Sequence, residues 1–111
     1  MEQQVIELMA SARECLTILI NDSSDIAKDF QAGNTVRANQ RLIEYIENIS
    51  CLFKAVEILR EQGQTVNVEI SLLQNVLLGM EEAMNSRDYV LLADILEYEI
   101  KDVLVEIQEN F

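Results

Sequence analysis

Four carboxylates, Glu44, Glu47, Asp94 and Glu97, sit at helical spacing in two parts of the chain and could converge as an all-oxygen site of the Mg²⁺ or Mn²⁺ kind. The same spacing places them opposite the apolar stripes of their helices, where acids form a solvated face, and no metal site is predicted. Histidine is absent. That removes the usual general base, the Ser-His and Cys-His pairs, and the Glu-x-x-His motif by which four-helix bundles hold di-iron centres. Gly33, Gly63 and Gly79 stand alone, so no glycine-rich phosphate loop exists. The expectation is a protein without catalytic residues or cofactors.

Cys15 and Cys51 are the remaining reactive groups. Nothing cationic flanks Cys15, and only Lys54 lies one turn from Cys51, so ordinary packing is favoured over a redox pair. Two cysteines in 111 residues make no disulfide framework, which points to a reducing, cytoplasmic setting. The opening Met-Glu-Gln-Gln lacks the basic start of a signal peptide, and no apolar run approaches the roughly 18 residues of a membrane span. No membrane is therefore an expected partner, and the net charge of -12 repels a phosphate backbone, so nucleic acid is not expected either. Residues 64–111 carry ten acids against two bases, which directs any basic partner to that half.

These side chains must be positioned by helices. Half of the residues are apolar, proline is absent and glycine appears three times, so little interrupts helix. One domain over residues 1–111 is expected, an all-α, antiparallel up-down-up-down four-helix bundle with helices near 2–31, 35–62, 67–84 and 86–110. The first carries a stripe of Val5, Leu8, Met9, Ala12, Leu16, Leu19, Ile26 and Phe30. Asn21-Asp22-Ser23-Ser24-Asp25 is its weak point, because Ser23 lands on the stripe and Asp22 could cap a fresh start. The second repeats Leu42, Tyr45, Ile49, Leu52, Val56 and Leu59 as a heptad seam. The third, with Asn67 as its cap, presents Leu73, Val76, Leu77, Met80 and Met84; Gly79 inside it marks either a close helix approach or a tolerated weak spot. Asn85 and Asp88 have capping-box spacing before the fourth.

The fourth helix holds more apolar surface than a core face needs. At 100° per residue, Leu92, Leu96, Ile100, Val103, Leu104 and Ile107 share one arc. Leu91, Ile95, Tyr98 and Val105 fall on the far side among Asp94, Asp102, Glu106 and Glu109. An apolar stripe with an acidic rim is predicted to bind a protein partner, through Leu91, Ile95, Tyr98 and Val105 in contact and Asp94, Asp102 and Glu106 as steering charges. A basic amphipathic helix fits that pattern, and a homodimer is the competing use of the same face.

The segment Leu77-Leu78-Gly79-Met80-Glu81-Glu82-Ala83-Met84-Asn85-Ser86-Arg87-Asp88-Tyr89-Val90-Leu91-Leu92-Ala93-Asp94-Ile95-Leu96-Glu97-Tyr98-Glu99-Ile100 resembles a stretch of small uncharacterised helical proteins of bacteria, mainly Firmicutes, some associated with motility genes. By analogy of fold, the resemblance implies a role like that of FliS- and FliT-type flagellar export chaperones, which hold helical segments of their clients.

Overall fold

The computed structural model describes residues 2–66 and 70–111. All its regular elements are helical: α1 (Gln3–Gln31), α2 (Thr35–Glu61), α3 (Ile70–Asn85), then a fourth helix made of α4 (Tyr89–Asp94), a π-helical turn (Ile95–Ile100) and α5 (Lys101–Glu109). The expected cap Asn67 lies outside the described residues. Among the described residues no helix is long and apolar enough to cross a membrane.

The stripes read from the sequence form the core. All six residues of the α2 seam are buried, as are Val5, Ala12, Leu16, Leu19, Ile26 and Phe30 of α1. Each fully buried Leu or Ile contributes about 1.5–3 kcal/mol through removal from water. Helix α1 is the central element, packed against α2 on one side and the whole fourth helix on the other, while α3 packs on the fourth helix. Registers fix the directions. Cys15, Ser23 and Asp29 meet Asn48, Tyr45 and Arg41, so residue numbers fall on α2 as they rise on α1. Arg13, Thr17 and Ser24 likewise meet Phe111, Gln108 and Lys101, so the fourth helix also runs against α1. The extents of 47 × 22 × 20 Å match the roughly 43 Å of a 29-residue helix and a cross-section two helices wide.

Helix α1 runs without a break through its polar stretch, and α2 supplies the reason. The hydroxyl of Ser23, buried on the stripe, donates to Leu19 O at 2.8 Å and lies 2.6 Å from the hydroxyl of buried Tyr45. With the Ser23 proton committed to Leu19, Tyr45 is the donor of the second bond. Asp22, Asp25 and Asp29, one turn apart on one face, converge on Arg41 at 3.9, 3.6 and 3.1 Å, and Asp22 therefore caps no new helix.

Helices α1, α2 and α3 end in the same way. The chain turns left-handed at Gly33, Gly63 and Arg87, with φ of 81°, 80° and 56°. The residue after each returns its N–H to the carbonyl five positions back: Asn34 to Asp29, Gln64 to Leu59 and Asp88 to Ala83. Asp88 then caps the fourth helix, its carboxylate accepting from Leu91 N at 3.1 Å, so that helix begins at Tyr89 and not at 86. Gly79 lies against Ile95, but a Cβ there would meet Ile95 Cδ1 at 3.8 Å, an ordinary contact. Close approach does not require the glycine.

Candidate functional site

The surface of interest is the outer side of the fourth helix, and the π turn decides what stands on it. A π turn takes up one extra residue, so everything beyond it is set back by about 100° relative to an uninterrupted helix. Residues spaced by four then line up. Inside, Leu92, Leu96, Ile100 and Leu104 form one buried row. Outside, Val90, Asp94, Tyr98, Asp102 and Glu106 form an exposed row at the same spacing.

Four apolar residues were expected on the outer face, and the structure separates them. Tyr98 is 63% exposed at the middle of the row, and Leu91 is 45% exposed on the flank toward α3. Ile95 is a correction: it is only 3% exposed and packs toward Gly79, so it belongs to the core. Val105 is half-buried. The uninterrupted 100° spacing had turned Ile95 outward; the π turn brings it in. Val90, 77% exposed and absent from the expected set, takes its place on the surface. The signal for both was the four-residue interval itself, carried through three steps from Leu92 to Leu104.

The carboxylates of the outer row differ from that of Glu97, beside Tyr98 in the chain. Asp94, Asp102 and Glu106 are exposed and form no ion pair among the described residues, whereas Glu97 pairs with Lys101 at 3.7 Å. Lys101 also donates to Ser24 Oγ at 2.8 Å, which ties the fourth helix to α1 and leaves its charge on that flank. Tyr98 thus stands between carboxylates one turn before and one turn after it. A solvent-facing aromatic ring with acids at both ends has the chemistry to receive a guanidinium or ammonium group.

Where α1 ends beside the start of the fourth helix, Phe30 and Tyr89 stack with ring centroids 5.3 Å apart. Next to them opens a cavity of about 270 Å³ lined by Phe30, Gln31, Tyr89, Val90, Ala93 and Asp94. Val90 and Asp94 belong both to this cavity and to the outer row, so the two are continuous.

Glu44 and Glu47 lie on α2 and Asp94 and Glu97 on the fourth helix, two elements that do not pack together, so these acids do not converge. Among the described residues no three His, Cys, Asp or Glu side chains gather as metal ligands.

Residues 7–110 match the family model described as Domain of unknown function (DUF8042). The chain belongs to the DUF8042 family. No curated protein and no solved structure matches it. The match to DUF8042 spans all four helices, the π turn and the outer row included.

Proposed function

We propose that this protein is a non-enzymatic, cytoplasmic binding module that holds a basic helical segment of a partner protein against the outer row of its fourth helix. The observation that carries this reading is the exposed ring of Tyr98 between the carboxylates of Asp94 and Asp102, which form no ion pair among the described residues. Tyr98 would take a Lys or Arg side chain of the partner on its face, the carboxylates would orient that cation, and Glu106 would extend the acidic track. The cavity beside Phe30 and Tyr89 would receive an apolar side chain of the same segment. Leu91 would contribute apolar contact at the edge, with half-buried Val105 adding little and Ile95 none.

An adaptor or an export chaperone of the flagellar kind would use such a surface, and the up-down-up-down bundle we infer for the four helices would present it along one edge. That arrangement is supported by the antiparallel registers of α1 with α2 and with the fourth helix, and by the short connection from Asn85 to Tyr89. Self-association through the same row is the weaker reading. Two copies, each with a net charge of -12, would bring like charges together at the face where Asp94, Asp102 and Glu106 stand.

The test is a titration of a fluorescent amphipathic peptide carrying Leu and Lys at helical spacing, with a Lys→Glu peptide as control. Binding that weakens with salt and falls at least several-fold in Tyr98→Ala, a change that leaves the charge unaltered, supports the site. Equal binding by Tyr98→Ala and Asp102→Asn would overturn it. Light scattering at tens of micromolar separates the two readings, since the homodimer requires a mass of two chains.

A further inference from the structure

We propose that Cys15 and Cys51 form a dithiol that a small-molecule disulfide converts into a covalent bond between α1 and α2. Cys15 is half-buried on α1, and its thiol donates to Asn48 O on α2 at 3.5 Å. Cys51 lies three residues beyond Asn48, one turn along the same face, and is exposed. The antiparallel register of Ser23 with Tyr45 carries Cys15 to the level of Phe53, and its thiol reaches back to Asn48 O, so Cys51 falls between the two. Burial pushes the Cys15 thiol above its ordinary pKa, and nearby Cys51 pushes it further.

The chemistry assigns the two thiols different parts. Exposed Cys51 meets the oxidant: its thiolate attacks one sulfur of a disulfide such as oxidised glutathione, forms a mixed disulfide and expels one glutathione thiolate. Cys15 then loses its proton to solvent and attacks the Cys51 sulfur, expelling the second glutathione thiolate. Two protein thiols are oxidised to one disulfide, and one oxidised glutathione is reduced to two reduced molecules. Burial disfavours the Cys15 thiolate, so closure is slower than it would be with an exposed thiol. The product would pin α1 to α2 at a contact they already make and leave the outer row of the fourth helix untouched, so the proposal stands apart from the partner-binding role.

The experiment exposes the full chain to oxidised glutathione at mildly alkaline pH and follows intact mass, thiol alkylation and thermal unfolding. The expected product is a monomer lighter by two hydrogens, with both cysteines protected from alkylation and a raised unfolding midpoint. Cys15→Ser should stop at the glutathione adduct on Cys51, and Cys51→Ser should remain largely unreacted. A wild-type adduct that persists on Cys51 while Cys15 still alkylates would overturn the proposal. So would a disulfide-linked pair of chains, or no reaction at either thiol.

Discussion

The pair Ser23 and Tyr45 yields a prediction whose sign, not only its size, follows from hydrogen-bond direction. Ser23 donates to Leu19 O and accepts from the Tyr45 hydroxyl, and both side chains are buried. Tyr45→Phe removes the donor, but Ser23 keeps its bond to Leu19, so the expected loss is about 0.5–1.5 kcal/mol, that of one hydrogen bond. Ser23→Ala leaves the Tyr45 hydroxyl buried without its acceptor, at a cost of about 1–3 kcal/mol, reduced by about 0.5 kcal/mol because alanine is the better helix former. In the double variant neither polar group remains, two apolar groups of nearly the same shape face each other, and the penalty should fall to roughly 0–1 kcal/mol.

Tyr45→Phe should therefore destabilise the wild-type protein and stabilise the Ser23→Ala protein. Urea unfolding followed by circular dichroism reads this directly: with a slope of about 1–2 kcal/mol per molar, a difference of about 1.5 kcal/mol moves the midpoint by roughly 1 M. Additive effects, with Tyr45→Phe costing the same in both backgrounds, would refute the reasoning, because they would mean that the two hydroxyls do not depend on each other. Alkaline titration offers a second readout. Burial, the main cause, raises the Tyr45 pKa well above its ordinary value. Its contribution is thus complete below about pH 10, where tyrosine in the unfolded chain begins to ionise, and is lost as pH rises from there toward the folded value.

Three further outcomes can be measured by the same unfolding curves. Arg87→Gly should stabilise by about 0.5–1 kcal/mol, since φ of 56° at the end of α3 strains an L-residue and suits glycine. Gly79→Ala, the opposite exchange, should stabilise by a similar roughly 0.5–1 kcal/mol, because the added methyl meets Ile95 at 3.8 Å without a clash; a loss would show that the helices cannot accept it. Asp22→Asn should raise stability at neutral pH: burial, the largest cause, lifts the Asp22 carboxyl above its ordinary value in the fold despite Arg41. A raised folded pKa means that the stability tied to the proton is present below the unfolded value, near about 3.9, and is lost as pH rises through the folded one. The variant should consequently gain less on acidification than the wild type does, and an equal gain would refute the assignment.

What the sequence made legible was whatever depends on helical period. The α2 seam and the α1 stripe followed from apolar spacing alone, and Gly33 and Gly63 identified two helix ends because only their backbone freedom was needed. The third left-handed turn was hidden because arginine carries no such signature; Asp88, which caps the next helix from one residue further on, was the only local hint. The polar stretch of α1 was ambiguous for a different reason. Asp22 and Ser23 favour a cap when their partners are water and local backbone, and favour continuous helix when Arg41 and Tyr45 take those roles from another element. No periodicity within α1 contains that information.

The outer row of the fourth helix shows where period itself misled. Uninterrupted 100° steps spread Leu92, Leu96, Ile100 and Leu104 over an arc of about 120°, wide but still acceptable for a buried face. They also sent Ile95 outward beside Leu91. Four-residue intervals repeated three times fit a straight row only if the helix absorbs an extra residue, which the π turn does between Ile95 and Ile100. The same adjustment that draws Ile95 into contact with α3 aligns Asp94, Tyr98 and Asp102 on the surface. An uninterrupted α-helix would skew those three around its axis and turn Ile95 into solvent, so the stability of the core and the geometry of the acidic, aromatic row depend on one local feature. Ile95 lies against Gly79 and Leu96 is buried in the inner row, so the turn that exposes the outer row also completes the core.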